Sequence, residues 1–212
     1  MRFDIHVHSC FSDGIPTPKE IVDHCRKIKL DGVAVTDHDC VEGSLEALKY
    51  AGKGFTVIPG LEVSAREGHI LALGVKKNIE PGLSARETIE RIHKLGGIAI
   101  AAHPYDRYRR GVGDAILELP FDAVEVANGH TFTNSRSPRE MALQAGKPMT
   151  GGTDAHSLQE IGNVSIVFNG DPLEAIKKGR VVIESAGAGK LAYSHAKTLL
   201  RRLARGAGRR LK

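Results

Sequence analysis

The sequence predicts an α/β fold of the parallel-barrel kind, and three observations carry that prediction. Short apolar runs with β-branched residues alternate with helical segments along most of the chain, the order expected when parallel strands are joined by helical crossovers. Four helix starts are spelled out by capping residues and proline. Histidines and carboxylates fall at or just past the ends of the apolar runs, where the loops of a parallel barrel converge on one mouth.

Taken in order, strands are expected over residues 2–7, 32–36, 55–59, 69–75, 97–101, 122–127, 147–150 and 163–168. Each is a short apolar run set among turn-forming residues. Thr17-Pro18-Lys19-Glu20, Ser84-Ala85-Arg86-Glu87 and Ser137-Pro138-Arg139-Glu140 read as capping boxes, two of them with proline at the first helical position. Asp171-Pro172-Leu173-Glu174 is a fourth start of the same kind. Gly96 and Gly146 stand where two of these helices should stop. No internal repeat or low-complexity linker interrupts the pattern, so one domain is expected over residues 1–189, followed by a basic tail or helix over 190–212.

Composition narrows the function classes. The chain has 212 residues, 41% apolar and 26% charged, ordinary for a soluble globular protein. No run approaches the ~20 apolar residues that span a bilayer, so no membrane span is expected. Asp4, His6 and His8 break up any apolar N-terminal run, which argues against a signal peptide. Cys10, Cys25 and Cys40 show no C-x-x-C spacing, so no disulfide framework is expected and a reducing cytoplasm is the simplest compartment. Residues 190–212 hold eight Lys or Arg and no acid, which leaves 22 basic against 25 acidic residues in the body. The basic character therefore belongs to the tail, where Leu199, Leu200 and Leu203 lie among Arg201, Arg202 and Arg205. Such a segment suits nucleic acid, an anionic membrane surface, or leucines packed against the domain.

Five motifs carry the chemistry: Asp4-Ile5-His6-Val7-His8, Thr36-Asp37-His38, Gly60-Leu61-Glu62 followed by His69, Ala102-His103-Pro104, and Thr153-Asp154-Ala155-His156. Imidazole and carboxylate together are the ligand set for zinc, manganese or iron. One such motif alone reads as a polar strand edge. Five in one domain argue for a multinuclear metal site. His6 and His8, two apart on a strand, should face the same way. The first strand is not followed by G-x-G-x-x-G, which disfavours an open dinucleotide-binding sheet.

At these motifs, together with the Ser12-Asp13-Gly14 turn and Asp39, the sequence resembles the PHP family, named for its polymerase and histidinol phosphatase members. The resemblance covers most of residues 1–185 and implies the PHP fold, a distorted seven-stranded TIM-like β/α barrel. It implies hydrolysis of phosphate esters with two or three divalent ions (Zn, Mn or Fe) and a metal-bridging hydroxide as nucleophile. Carried over residue by residue, it implies a first metal position at His6, His8, Glu62 and Asp154. A second would share Glu62 and add His69 and His103, and a third would use Asp13, His38 and His156. Glu62, Asp154 and His156 are thereby the expected catalytic residues. His156 and Asp39 are candidates for a general acid.

Asp13 favours the branch acting on nucleotides or short oligonucleotides over a histidinol-phosphate-type phosphatase. A metal-stabilised nucleic-acid-binding barrel without catalysis is the rival from another class, and the complete ligand set argues against it. Phosphate also needs contacts beyond metal, and arginine forks match its oxygens. Arg107, in the loop after His103-Pro104-Tyr105, and Arg136, after Asn128-Gly129-His130, are the expected substrate contacts, with Arg109 and Arg110 as neighbours in the first of these loops.

Overall fold

The computed structural model describes residues 1–187, 189–194, 196–198 and 200. Its strands are β1 (Arg2–Val7), β2 (Gly32–Val35), β3 (Thr56–Ile58), β4 (Gly60–Ser64), β5 (His69–Leu73), β6 (Ile98–Ala101), β7 (Ala123–Asn128), β8 (Met149–Gly152), β9 (Val164–Val167) and β10 (Val182–Ser185). The helices are α1 (Pro18–Lys27), α2 (Glu42–Leu48), α3 (Ala85–Lys94), α4 (Ala115–Glu118), α5 (Pro138–Gln144) and α6 (Pro172–Lys177).

Local chemistry fixes the helix ends. Both arms of the capping box form at Thr17 with Glu20 and at Ser84 with Glu87. Ser137 and Asp171 accept from the Glu140 and Glu174 amides at the starts of α5 and α6. Gly96 and Gly146, with φ of 80° and 62°, stop α3 and α5 in the left-handed conformation that glycine adopts without a Cβ penalty. The apolar face of α3 buries Ile89 and Ile92 in a cluster with Ile70 and Ala99 of the sheet behind it.

The barrel expectation requires correction. The described strands form two five-stranded mixed sheets, in the orders β10-β9-β1-β2-β3 and β4-β5-β6-β7-β8, and not a closed seven-stranded barrel. The sheets meet through isolated bridges between Val7 and Ala155 and between His38 and Glu62. Parallel pairing holds for β1–β2–β3 and for β6–β7–β8. Antiparallel pairing joins β4 to β5, β5 to β6, β1 to β9 and β9 to β10. The turn between β4 and β5 spans only 65–68, far shorter than the dozen or so residues a parallel crossover needs, so these two strands make a hairpin.

That reversal still serves the site. Because β5 runs against β6, its first residue, His69, lies at the edge where β6 ends: Ile70 pairs with Ala101, and the Ala102 amide donates to the His69 carbonyl. Glu62 sits in mid-strand on β4, paired with Leu71. His6 is on β1 and His8 just beyond its end, with a register irregularity between Asp4 and Val7. Most of the tail lies outside the described residues, including Leu199, Arg201, Arg202, Leu203 and Arg205. Among the described residues, no helix is long and apolar enough to cross a membrane.

Candidate metal centre

All nine expected ligands gather at one edge of the two sheets, around Glu62. Oε2 of Glu62 lies 3.3 Å from His6 Nε2, 3.2 Å from His8 Nε2 and 3.4 Å from His38 Nδ1. Its Oε1 lies 3.1 Å from both His69 Nδ1 and His103 Nε2. Asp154 Oδ1 closes the inner group at 3.1 Å from His8 Nε2 and 3.6 Å from His6 Nε2. On the outer side, Asp13 Oδ1 lies 3.1 Å from His156 Nε2 and 3.7 Å from His8 Nδ1.

Four sets of ligand atoms each lie within 4.8 Å of one another: His6, His8, Glu62 and Asp154; His38, Glu62 and His69; His8, Asp13, His38 and His156; and His130, Asp154 and His156. The first and third correspond to the implied metal positions, with His8 reaching both. In the second, His38 stands where His103 was expected, although His103 keeps its contact with Glu62.

The donor set fits divalent cations. Neither ring nitrogen of His8 makes a hydrogen bond, and the same holds for Nδ1 of His38, His69 and His103, although these atoms are buried. Stranding buried polar atoms is costly. Imidazole nitrogens close to carboxylate oxygens yet out of hydrogen-bonding alignment are what ligands aimed at a shared cation look like.

Electrostatics supports the same reading. Burial alone would push the Glu62 carboxyl up, but His6, His103 and His69 hold it well below the usual range. Burial likewise acts against ionised Asp154, and the Arg109 guanidinium with His6 and His8 outweighs it. Burial would lower His6, yet Asp154, Glu125 and Glu62 raise it well above an ordinary histidine. Two ligands carry backbone strain: His103 and Asp154 have φ of 29° and 56°, positions a non-glycine residue takes only when its surroundings impose them.

A shell of polar groups orients the ligands. Glu125 Oε1 lies 3.0 Å from His6 Nδ1, and its Oε2 accepts from the His103 amide at 2.8 Å. Asp37 accepts from Ser9 N, Ser9 Oγ and Ser12 Oγ at 2.6–2.7 Å, pinning the turn that presents Asp13. Asp4 accepts from the Thr153 and Gly162 amides. A Cβ at Gly152 would lie 2.5 Å from His6 Cβ, so only glycine lets β8 pass this close to the ligand strand. Sequence reasoning missed Glu125 as a functional residue, although an acid set between Val124 and Val126 in the middle of the run 122–127 was a signal for it.

The expected substrate arginines stand elsewhere. A cavity of about 330 Å³ is lined by Asp13, His38, Glu62, His69, His103, Arg109, His130, Asp154 and His156. Arg136 is exposed and paired with Asp114 at 2.8 Å, and Arg107 is exposed, its amide donating to the Thr133 carbonyl. Arg109 faces the centre instead. Its Nη1 donates to Asp154 Oδ2, its Nη2 donates to Asn128 Oδ1 and Thr131 Oγ1 at 2.9 and 2.7 Å, and Asp106 braces its Nε. Asp39 is a turn residue whose carboxylate accepts from the Ser64 amide at 2.7 Å.

Known proteins resemble this chain along most of its length. An uncharacterised protein of Methanocaldococcus jannaschii is 36% identical over 142 residues, covering 61% of this chain and 83% of that protein. A 3′,5′-nucleoside bisphosphate phosphatase of Chromobacterium violaceum is 38% identical over 112 residues, which are 48% of this chain and 39% of the phosphatase. Among solved structures, a two-domain Bacteroides vulgatus protein containing a predicted PHP-like metal-dependent phosphoesterase superposes with a TM-score of 0.73. That match covers 93% of this chain and 69% of the other at 20% identity, a likeness of fold. Residues 134–181 match the PHP-associated family. Residues 4–133, more than half of the chain and the span that holds seven of the nine clustered ligands, match the PHP domain, and the chain belongs to that family.

Proposed function

We propose that this protein hydrolyses phosphate esters of nucleotides or short oligonucleotides at a centre of two or three divalent ions, zinc, manganese or iron. The chain is a phosphoesterase by family. The observation that supports a working centre is Glu62, a buried carboxylate with five imidazoles within 3.4 Å of its two oxygens. A bridging carboxylate is what holds two cations close enough to share one substrate. Bound there, divalent ions would lower the pKa of water toward neutrality and neutralise phosphoryl charge.

The protein's own groups supply the rest. Arg109 presents a guanidinium fork beside Asp154, braced by Asp106, Asn128 and Thr131, so little side-chain freedom is lost when it takes a phosphate oxygen. Arg109 therefore takes the substrate role first assigned to Arg107 and Arg136. Asp154 also holds the ring of His156, whose Nδ1 lies 2.7 Å from the Asp154 carbonyl. The preference for nucleotides rests on Asp13 in its Ser12-Asp13-Gly14 turn and on likeness to the bisphosphate phosphatase. The cavity of about 330 Å³ is at the small end of ligand pockets, in keeping with a substrate of which only the phosphate and its nearest neighbours are enclosed.

A panel of phosphomonoesters, cyclic nucleotides, 3′,5′-bisphosphates and oligonucleotides, assayed with added Mn²⁺ or Zn²⁺, tests the reading. Turnover of nucleotide substrates that is abolished by chelation and by Glu62→Ala is the expected result. A metal-loaded protein that hydrolyses none of them would overturn it.

A further inference from the structure

One buried carboxylate joins the outer wall of the centre to the last described stretch of chain. Residues 189–194 are helical and lie beyond both family-matched segments. The stretch is pinned by two hydroxyls, those of Ser194 and Thr198, which are 5% and 2% exposed. Ser194 Oγ accepts from Asn163 Nδ2 at 3.1 Å, and Thr198 Oγ1 lies 2.7 Å from Ser157 Oγ. Ser157 Oγ in turn donates to Glu160 Oε2 at 3.1 Å.

Glu160 is where this chain of contacts meets the metal centre. Its Oε2 also accepts from the His156 amide at 2.9 Å, and its Oε1 lies 2.8 Å from His130 Nε2. His130 stacks on His156 with ring centroids 4.9 Å apart. The ring and the main chain of a single ligand thus both depend on one carboxylate. A buried carboxylate that loses a partner shifts to recover one, and what would shift with it here is His156.

We propose that Glu160 is a positioning residue for the outer metal position, kept in place by Thr198, so that docking of the C-terminal stretch sets how tightly Asp13, His38 and His156 hold a divalent ion. The inference rests on the metal-centre reading above and adds to it a dependence on residues that the family match does not include. Groups that orient metal ligands are worth about 10–100-fold in metal affinity. An effect of that size is expected at the outer position alone, because the shell behind the inner ligands consists of Glu125 and Asp4.

The test is a Co²⁺ titration of the full-length, chelator-stripped protein, followed by visible absorption and by thermal unfolding. Glu160→Gln and Thr198→Val should fill the inner positions as the wild type does and weaken the outer one by about 10–100-fold, with Thr198→Val the milder. Thr198→Ser, which keeps the hydroxyl, should restore wild-type binding. Variants indistinguishable from a Co²⁺-binding wild type would overturn the positioning role alone. So would equal weakening at every position with a lower unfolding temperature, the mark of general damage. A wild type that takes up no Co²⁺ would overturn the metal-centre reading, and this inference with it.

Discussion

The candidate metal centre has two unlike halves. His6, His8, Glu62 and Asp154 are almost wholly buried and rest on β1, β4 and the end of β8. Asp13 and His38, whose side chains are 48% and 30% exposed, sit on loops, with His156 between them and the inner group. The protons divide in the same way. Burial would lower the His8 pKa, but Asp154 and Glu62 raise it to about 9. Burial lowers His156 to about 4, with the His8 charge adding to it and Asp13 opposing. His38 is also lowered, by burial first. Without metal, the inner half is a buried salt cluster that holds protons, whereas the outer half presents neutral imidazoles. Ions entering the inner half must displace protons; those at the outer half meet ligands already deprotonated but closer to water. We therefore expect tight, catalytically essential binding inside and weaker, exchangeable binding outside.

The sharpest way to break this comparison is to remove one ligand from each half. His8→Ala and Glu62→Ala should lower kcat/KM by on the order of a thousandfold or more, the scale of losing electrostatic stabilisation of the reacting group. Metal content measured by mass spectrometry should fall with it. Asp13→Ala should cost less, about 10–100-fold, with loss of a single ion that excess metal restores. Equal losses from the two substitutions would erase the distinction between the halves.

A second comparison separates two arginines. Hydrogen bonds to charged groups contribute about 1.5–3 kcal/mol, so Arg109→Ala should raise KM for a nucleotide substrate by roughly tenfold or more while kcat falls less. Arg136→Ala removes only an exposed pair with Asp114, and such pairs contribute about 0–1 kcal/mol. Its steady-state kinetics should stay within about twofold of the wild type. If the two effects were reversed, the loop carrying Arg109 would have to rearrange before substrate binds.

How much of this was legible in the sequence follows from what is local. The caps at Thr17, Ser84, Ser137 and Asp171 could be read because each side chain reaches an amide only three residues on. Helix α2 starts without a side-chain cap and α4 is a single turn, and neither was foreseen. Pairing direction is a tertiary property, so the reversal of β5 and β9 was invisible. Strand β4 went unread because Glu62 was taken as a motif rather than as the inward residue of an alternating run. At the site, ligand types declared themselves by chemistry at the strand ends. Their supports did not, since nothing local ties Glu125 to His6 across 119 positions or Glu160 to Thr198 across β9, α6 and β10. Choosing among the arginines likewise needed the loop's path, which bends Arg109 inward and leaves Arg107 exposed.

The smallest expected effect is also the most direct reading of the two halves, because it needs neither substrate nor metal. A histidine whose folded pKa is raised contributes stability that is full below its unfolded value, near 6.5, and is lost as pH rises through the folded value. For His8 that window runs from 6.5 to about 9. A histidine whose folded pKa is lowered must be deprotonated to fold, so its contribution grows as pH rises from the folded to the unfolded value. For His156 that window runs from about 4 to 6.5. Asp4 works against this lower limb, since burial raises its carboxyl to about 6 despite the Gly162 and Thr153 contacts. The chelated protein should therefore show an unfolding temperature that peaks near pH 6.5, with the acid-side rise set by the outer half and the alkaline fall by the inner. Differential scanning calorimetry in chelator from pH 4 to 9.5 reads both limbs. His8→Gln should make the alkaline limb shallower, leaving the His6 share, and His156→Gln should flatten the acid one. An alkaline limb unchanged in His8→Gln would mean that the inner half does not hold its protons on His8, and the contrast between the halves would have to be rebuilt on burial alone.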